Sequence, residues 1–433
     1  MTAADTLGID FGTTNTVVAM AGTEGPARLV RFAAPEREVF AFRSALAYQA
    51  QPERPSERLI TAGPWAALAY AEDPAETRFL QSFKTFAAQS SFSETQILGR
   101  RYRFEDLLST FLLKVKAYAG EAMAELPKRV IIGRPVTFAG GSPDPKLALE
   151  RYEAAFRRLG FEELLYAYEP VGAAFFFARQ LAHDATVLVG DFGGGTSDFS
   201  IIRFAREDGR MQATPLGRSG VGVAGDAFDY RIIDQLVSPA LGKGSAYASF
   251  GKVLPVPARY YGAFARWDQL ALLKASRDMR EIRSLVREAL EPEKLARLVE
   301  MIDENHGYRL YRSVSALKEA LSSRETAEFR FEAGDISIVH PVARADFEAW
   351  IAPELAQIET AVDAALADAG VAPGQIDRVF LTGGSSLVPA VRAIFHRRFP
   401  KERIETGAEL ESIASGLALI GREPDVGRWT ARD

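Results

Sequence analysis

The sequence predicts an α/β protein built from two lobes, and three observations support that prediction. Two segments, residues 7–19 and 187–202, each run from an apolar strand through Asp-Phe-Gly and a small polar turn into a second apolar strand. Segments with helical spacing alternate with short apolar segments along the rest of the chain. A third glycine pair follows a strand in Leu381-Thr-Gly-Gly-Ser-Ser386. We therefore predict one glycine-bearing β-hairpin in each lobe.

The elements between these motifs follow from hydrophobic periodicity. Strands are predicted at residues 129–136 and 378–382, and helices at residues 104–125, 147–159, 344–369 and 386–399. Two stretches interrupt the alternation, and each is interpreted as an outer subdomain inserted into a lobe. The predicted division is a lobe I core at 1–38 and 104–185, its outer subdomain at 39–103, a lobe II core at 186–225 and 341–433, and its outer subdomain at 226–340.

Composition excludes several classes of protein. The chain has 433 residues, of which 47% are hydrophobic and 25% charged, as is ordinary for soluble globular domains. A net charge of -5 gives no electrostatic reason to expect nucleic-acid binding. The absence of cysteine excludes disulfides and thiolate chemistry and fits a cytoplasmic location. We find no secretory signal, no apolar run near the roughly 20 residues that span a bilayer, and no metal-ligand spacing among the four histidines.

The glycine-bearing hairpin tips suit the binding of phosphate. Successive backbone N–H groups at such a tip form a cradle for anions, and glycine permits their close approach. Neighbouring hydroxyl and amide side chains add further hydrogen-bond partners. The residues assigned to the two cradles are Gly12, Thr13, Thr14 and Asn15 in the first, and Gly193, Gly194, Gly195 and Thr196 in the second.

Carboxylates stand beside both tips. Asp10 and Asp191 come just before the glycines, where they are expected to hold Mg²⁺ through its water shell. Asp198 follows the second tip and is a candidate to orient or deprotonate a water molecule. Two facing cradles with carboxylates suit a triphosphate and its metal, because phosphoryl transfer depends mainly on positioning and charge neutralisation.

Each of these features also has a plain structural interpretation. A single glycine-rich tip is most often just a tight turn, and an aspartate at the end of a strand is most often a turn or cap residue. The recurrence of Asp-Phe-Gly in both halves, together with the third glycine pair, favours the functional interpretation. The N-terminus of the helix that follows this third pair can bind an anion, or the sugar and base of a nucleotide.

Three motifs together resemble the ATPase superfamily that contains actin, sugar kinases and heat-shock chaperones, and within it the heat-shock protein 70 (Hsp70) family. The motifs are Gly8-Ile-Asp-Phe-Gly-Thr-Thr-Asn15, Gly190-Asp-Phe-Gly-Gly-Gly-Thr-Ser-Asp198 and Leu381-Thr-Gly-Gly-Ser-Ser-Leu-Val-Pro389. Weaker similarities occur in the family's order at residues 43–48, 83–84, 132–135, 168–174, 223–229 and 344–348. The resemblance therefore covers essentially the whole chain.

The resemblance implies an actin-like ATPase fold, with a ribonuclease-H-like core in each lobe and ATP or ADP with Mg²⁺ in the cleft. Lys84 would approach the transferred phosphate, Glu169 would lie near the attacking water, and Pro135 with Glu169 would relay the nucleotide state. The implied catalytic residues are Lys84, Glu169, Asp191, Asp198 and Thr196. The implied nucleotide-binding residues, beyond Asp10 and the two tips, are Gly225, Lys318, Ser322, Gly383, Gly384, Ser385 and Leu387.

The sequence departs from the family pattern at the adenine. Where the family stacks two arginines on the base, this chain has Glu319 and Leu387, although Lys318 and Ser322 keep the pattern on the ribose side. Each lost guanidinium contact is expected to weaken base binding by about 1 kcal/mol. Because the sequence has no segment that resembles the family's linker, peptide-binding domain or lid, we expect a short member of the family, similar to the YegD-like members.

The sequence therefore predicts an Hsp70-like, Mg²⁺-dependent ATPase that acts as a nucleotide switch without a substrate-binding domain. Its expected partners are a nucleotide and an unidentified protein client or co-chaperone, with neither nucleic acid nor membrane. Two alternatives remain open. One is a small-molecule or sugar kinase of the same superfamily, and the other is a scaffold or filament protein that binds nucleotide with little hydrolysis.

Overall fold

The computed structural model describes residues 6–34, 38–51, 53, 57–74, 76–140, 142–178, 181, 183–207, 210–269, 273–274, 276–406 and 411–431. The chain forms two compact units. The first comprises Met1–Ala224, Gln357–Leu387 and Val391–Asp433, and the second comprises Gly225–Ala356 and Val388–Ala390. The finer division into four subdomains stays a prediction. Within the described ranges, no helix is long and apolar enough to cross a bilayer.

The strands are numbered in chain order. Those of the first half are β1 (Thr6–Phe11), β2 (Asn15–Ala21), β3 (Arg28–Leu29), β4 (Phe32–Ala33), β5 (Glu38–Val39), β6 (Phe42–Arg43), β7 (Ala45–Ala50), β8 (Arg58–Ala62), β9 (Thr77–Gln81), β10 (Thr95–Ile97), β11 (Arg100–Tyr102), β12 (Arg129–Arg134) and β13 (Glu163–Tyr168). Those of the second half are β14 (Ala185–Phe192), β15 (Ser197–Glu207), β16 (Arg210–Val221), β17 (Ala246–Ser249), β18 (Lys252–Pro255), β19 (Thr326–Ala333), β20 (Ile336–Ala343), β21 (Arg378–Thr382) and β22 (Ile404–Thr406).

The α-helices accompany both halves. They are α1 (Pro64–Glu72), α2 (Phe104–Ala119), α3 (Pro145–Arg157), α4 (Glu169–Ala178), α5 (Gly225–Ile232), α6 (Arg277–Leu285), α7 (Pro292–Asp303), α8 (Gly307–Ser323), α9 (Arg344–Trp350), α10 (Ala352–Ala369), α11 (Pro389–His396) and α12 (Ser412–Ile420).

The first unit contains two sheets with the same strand order. One runs β3-β2-β1-β12-β13 and the other runs β16-β15-β14-β21-β22. In each sheet the central strand pairs antiparallel with the strand that follows it and parallel with a strand from much later in the chain. β14 is buried along its whole length, as expected of a strand covered on both faces. The two predicted hairpins are therefore present, one in each sheet.

Two helices lie between these sheets. α12 packs on β1 and β2, α4 packs on β14 and β15, and the two helices pack on each other. Their backbones touch, because a Cβ added to Gly416 would lie 1.7 Å from the carbonyl oxygen of Gly172. Since α4 begins at Glu169, this close crossing fixes the position of that side chain.

The residues after α12 return across both sheets of the first unit. The Ala431 N–H donates a hydrogen bond of 2.7 Å to the Tyr166 carbonyl in β13. The Trp429 ring lies edge-on to Phe175 of α4, with centroids 4.6 Å apart, and its centroid is 6.5 Å from that of Phe204 in β15. This segment, residues 426–431, is called the tail below.

The second unit contains two hairpins among its helices. β17 pairs antiparallel with β18, and β19 pairs antiparallel with β20. The charged run at residues 271–290 also has a sequence that predicts a helix, and it contains α6, while residues 271, 272 and 275 lie outside the described residues. Its helical character is confirmed over 277–285.

Several predicted helix boundaries were wrong by a few residues, including both ends of the helix predicted at 147–159, which spans Pro145–Arg157, and backbone chemistry explains two of the differences. The helix predicted to 125 ends at Ala119, because Gly120 has a φ of 56° and the chain continues as a 3₁₀ turn. The helix predicted from 386 begins at Pro389, because proline disfavours a helical residue before it. The helix predicted over 344–369 divides at Ile351 into α9 and α10.

Substitution of Gly416 tests the helix crossing. We expect Gly416→Ala to lower the free energy of unfolding by about 1–3 kcal/mol, because the new methyl group cannot fit against the backbone of α4. Urea denaturation measures the change. The matched control is Gly374→Ala, whose added Cβ has no heavy atom within 4 Å and which we expect to stay within about 0.5 kcal/mol of the wild type. Equal effects of the two substitutions would contradict the proposed contact.

Candidate functional site

The two hairpin tips lie against each other in the first unit. The first tip, Gly12–Asn15, joins β1 to β2, and the second, Gly193–Thr196, joins β14 to β15. A Cβ added to Gly195 would lie 3.6 Å from the Thr13 hydroxyl oxygen. The Gly193 N–H closes the second tip by donating to the Thr196 carbonyl at 3.0 Å. The structure thus brings together the two predicted phosphate cradles.

Ser44 holds the first tip from behind. Its hydroxyl donates to the Gly12 carbonyl at 2.7 Å, and the Thr16 hydroxyl lies 2.9 Å from the same Ser44 oxygen. The Ser44 N–H donates to the Thr14 carbonyl at 2.9 Å. Ser44 lies within the weak similarity at 43–48, but no sequence pattern assigns it this role.

A buried ion pair lies beside the tips. Lys84 Nζ is 2.7 Å from Glu169 Oε1, and both side chains are buried. Lys84 is held in a short 3₁₀ turn, Phe83–Phe86, and Glu169 is the first residue of α4. Their partnership spans 85 positions of sequence, so only folding reveals it. Removing either partner would leave a buried, uncompensated charge.

Three aspartates share this environment: Asp191 and Asp198 are buried, and Asp10 is half-buried. Burial raises the pKa of Asp10 to about 7, with the Glu169 charge adding to the increase and Lys84 opposing it. Burial also raises the pKa of Asp198 to about 7, again with a contribution from Glu169. The pKa of Asp191 is raised well above its ordinary value by burial and by the charges of Glu169, Asp10 and Asp198. These carboxylates therefore interact electrostatically as one group.

Lys84 stays charged in spite of its burial. Burial lowers the pKa of the Lys84 ammonium, but Glu169, Tyr152 and Asp10 raise it by more, so the net direction is upward. One fixed positive charge thus faces several carboxylates. Low polarity around the group strengthens each of these interactions.

Two buried oxygens in this region have no hydrogen-bond partner among the described residues: Asp198 Oδ2 and the Tyr152 hydroxyl. Asp198 Oδ1 accepts the Thr137 N–H at 3.0 Å, and the Thr196 side chain lowers the pKa of Asp198. Buried polar atoms without partners are rare and commonly mark a place for water or ligand. Tyr152 was not predicted, since it lies on α3 among residues that read as a core face.

The aspartates fit Mg²⁺ bound through water. Magnesium prefers oxygen ligands and keeps several of its waters, and an added cation would offset the burial of Asp10, Asp191 and Asp198. In the part of the chain that the structure describes, no three acidic or histidine side chains form a direct metal-binding cluster. These residues therefore suit Mg²⁺ that is bound through its water shell better than Mg²⁺ that is coordinated directly by carboxylates.

Arg151 anchors the segment that carries Lys84. Its guanidinium donates hydrogen bonds to the carbonyls of Phe86, Ala87, Gln89 and Phe92, at 2.5–3.2 Å. Four carbonyls gathered by one side chain fix the turn just after Lys84. The sequence carried no signal for this role, because Arg151 lies on α3, far from residue 84 in the chain.

The third glycine motif packs on the second tip. Gly383 has a φ of 82°, and a Cβ there would lie 2.1 Å from the Phe192 carbonyl oxygen, so only glycine fits. The Ser385 hydroxyl donates to the Gly193 carbonyl at 3.4 Å. Gly384 begins the 3₁₀ turn that leads to Leu387, whose side chain is 43% exposed. The motif is therefore adjacent to one predicted cradle.

The remaining predicted site residues lie in the second unit. Lys318 on α8 forms a 2.7 Å ion pair with Asp229 and donates to the carbonyl of Gly225, the first residue of α5, at 3.2 Å. The Ser322 hydroxyl donates to the Lys318 carbonyl of its own helix at 2.9 Å. Asp229 received no predicted role, although it ends the similarity at 223–229. Glu319 is exposed.

An aromatic ring next to Glu169 is flanked by two guanidinium groups. The Arg134 and Arg218 guanidinium carbons lie 5.1 and 4.5 Å from the centroid of Tyr168. Cation–π contacts of this kind stabilise by roughly 0.5–2 kcal/mol each. Arg134 immediately precedes Pro135, so the stack joins the two positions of the predicted relay. The relay itself stays a prediction.

Comparisons with known proteins agree with this architecture. A family model described as Hsp70 protein matches residues 76–244 and 286–423. The chain is similar to the chaperone protein DnaK of one strain of Thermus thermophilus, with 26% identity over 425 residues, 96% of this chain and 60% of that protein. The DnaK of a second strain of the same species is 25% identical over the same coverage. The chain thus spans 60% of the length of these curated relatives.

The family match confirms the predicted fold class. The Hsp70 nucleotide-binding domain has the actin-like ATPase fold, and the mixed α/β architecture with its repeated sheets agrees with it. The residues between the two matched segments, 245–285, include the β17–β18 hairpin. That hairpin therefore lies outside the part of the chain that the family model matches.

The raised pKa values predict a pH dependence of stability without nucleotide or metal. A carboxyl with a pKa near 7 when folded and 3.8 when unfolded binds more protons in the folded state between those values. The free energy of unfolding therefore falls as pH rises through that window. We expect Asp198→Asn to reduce this fall, measured by urea denaturation at pH 5 and pH 8.

The control for this experiment is Glu402→Gln, a substitution of an exposed carboxylate. It removes one acidic group without touching the buried set, so its stability profile should follow the wild type. A pH profile of Asp198→Asn that matches the wild type would contradict the raised pKa of Asp198.

Proposed function

The chain belongs to the Hsp70 family, and from that premise we propose that it binds MgATP at the two facing tips and hydrolyses it to ADP and phosphate. The observation that supports this most is the buried Lys84–Glu169 pair beside the buried Asp191 and Asp198 and the half-buried Asp10. Such a concentration of charge is costly to bury without a function or a ligand. A triphosphate with its metal is the ligand whose charges complement it.

In this proposal the backbone of each tip binds phosphate oxygens, with Thr13, Thr14 and Asn15 on one side and Thr196 on the other. Lys84 places its positive charge against the transferred phosphate, where an oriented cation stabilises charge that develops in the transition state. Asp10 and Asp191 would hold Mg²⁺ through water, and Mg²⁺ supplies neutralisation of the phosphate oxygens when bound.

Asp198 is proposed to orient the attacking water and accept its proton. A general base works best with a pKa near the working pH, and burial raises the pKa of Asp198 to about 7. Its Oδ1 is held by the Thr137 N–H, while Oδ2 is the atom proposed to receive the water. Glu169 positions Lys84 through their ion pair and lies near the same water.

The nucleotide state is proposed to act as a switch that a partner protein senses. Glu169 begins α4, which crosses α12 between the two sheets, so a change at the phosphate site acts directly on that crossing. The relatives named above are chaperones, and we propose a chaperone-like role with an unidentified client or co-chaperone. The Tyr168 stack and Pro135 are the proposed relay from Glu169.

Removal of the charged groups tests hydrolysis. We expect Lys84→Ala and Asp191→Ala each to reduce kcat for ATP hydrolysis by roughly 100-fold or more, because each removes electrostatic stabilisation of the transferring phosphate. Release of phosphate by purified protein measures the rate. The control is Lys146→Ala, which removes an exposed lysine on α3 and should leave turnover unchanged. Unchanged turnover in Lys84→Ala and Asp191→Ala would contradict the assigned roles.

Restoration of arginine tests the proposed base site. We expect Glu319→Arg and Leu387→Arg each to tighten ADP binding about fivefold, which corresponds to roughly 1 kcal/mol for a cation–π contact with adenine. Isothermal titration calorimetry measures the affinity. Glu325→Arg, which makes the same change of charge as Glu319→Arg at an exposed position near the end of α8, is the matched control. An equal gain in the control would assign the effect to net charge alone.

A further inference from the structure

The β17–β18 hairpin ends in an unusual turn. Ser249 pairs with Lys252, which leaves Phe250 and Gly251 as a two-residue turn. Their φ angles are 47° and 74°, the pattern of a type I′ turn. Asparagine, aspartate and glycine are the residues that favour this turn, and a bulky side chain at positive φ is an outlier.

Phe250 is also the most exposed large apolar side chain among the described residues. Its relative exposure is 104%, and Val253 and Leu290 nearby are 65% and 58% exposed. Phe250 is therefore unfavourable for two reasons: its backbone has a positive φ, and its apolar ring is exposed to water. No contact within the described fold compensates for either cost. A function outside this molecule accounts for the residue better than folding does.

Pairing of strand edges is a poor explanation for the hairpin. β18 has only four residues, begins with Lys252 and ends with Pro255. Short length, lysine and proline are devices that protect an edge strand from pairing with another chain. What the hairpin offers is the single projecting ring of Phe250, with apolar neighbours at its base.

The first unit contains an open cavity of about 270 Å³ beside the tail. Its apolar walls include Val171, Leu216 and Trp429, and Tyr168 and Arg218 also line it. An apolar cavity of roughly 150 Å³ is large enough to hold benzene. The cavity of this chain therefore has room for a phenyl ring.

Charges of both signs surround the two features. Asp368 lines the cavity and accepts the Arg218 N–H at 2.9 Å, and the exposed Lys252 directly follows the hairpin turn. The Arg218 guanidinium lies over Tyr168 in the cavity wall and forms no ion pair within the described residues. Glu288 is exposed, and its carbonyl accepts the Ala248 N–H at 2.8 Å, so it lies alongside β17 near the hairpin turn. Each feature thus has one carboxylate and one cation beside its apolar part, so Glu288 can face Arg218 while Lys252 faces Asp368.

We propose that Phe250 of one copy of this chain inserts into the cavity of a second copy, with Glu288 facing Arg218. The two surfaces are different parts of the molecule, so the contact is heterologous and links copies head to tail. A single aromatic anchor with a small apolar surround lies below the size of a standard interface, so the association is weak and reversible.

Sedimentation velocity of the full chain, from low to high micromolar concentration, tests the proposal. We expect the weight-average mass of the wild type to rise with concentration. The weight-average mass of Phe250→Asn should stay at that of the monomer. Asparagine suits the turn, so the melting temperature of Phe250→Asn should equal or exceed that of the wild type. Leu113→Asn, a control that replaces another exposed apolar side chain, should associate as the wild type does.

A mixing experiment separates this arrangement from a symmetric dimer. Leu216→Glu or Arg218→Glu alters the cavity but leaves the hairpin intact. Phe250→Asn alters the hairpin but leaves the cavity intact. Each variant alone should be monomeric, but a mixture of Phe250→Asn with either cavity variant should form one-to-one heterodimers and nothing larger. A monomeric wild type at every concentration, association that survives Phe250→Asn, or a mixture without heterodimers would each overturn the proposal.

Discussion

The burial of several carboxylates around one lysine is the constraint on which the rest of the site depends. Asp10 and Asp191 stand at the ends of strands that the core needs, and Asp198 lies opposite Asp191 in the same hairpin. Their burial raises their pKa values, and the Lys84 charge opposes that increase. Lys84 in turn needs Glu169 as its partner. Every element that positions this pair, from α4 to the turn anchored by Arg151, therefore contributes to the chemistry.

The duplication of the sheet explains how two tips come to face one triphosphate. Each sheet supplies one hairpin and one aspartate from the same topological position, since β1 and β14 are the central strands of their sheets. The helices between the sheets keep this arrangement compact, because Gly416 lets α12 approach the backbone of α4. The same crossing links Glu169 to both halves of the fold.

Local patterns in the sequence predicted what depends on local chemistry. The Asp-Phe-Gly repeats indicated both hairpins, both strand-end aspartates and the α/β class. Two helix boundaries differed from the prediction because hydrophobic periodicity does not take into account the backbone preferences of Gly120 and Pro389. Lys84 and Glu169 were each assigned a role only through the family resemblance, and their ion pair was not predicted, since the two residues are distant in sequence. Ser44, Arg151 and Tyr152 carried no signal, because their roles exist only after folding brings their targets near.

The tail has a practical consequence. The sequence contains four tryptophans, and Trp429 lies edge-on to Phe175 in the helix that begins at Glu169. Its ring also lies over Phe204 of β15, so its surroundings combine the helix with the strand that carries Asp198. Indole fluorescence is sensitive to the polarity and packing around the ring. The protein thus carries a built-in optical reporter next to the helix that starts at its candidate catalytic pair, and no label has to be attached.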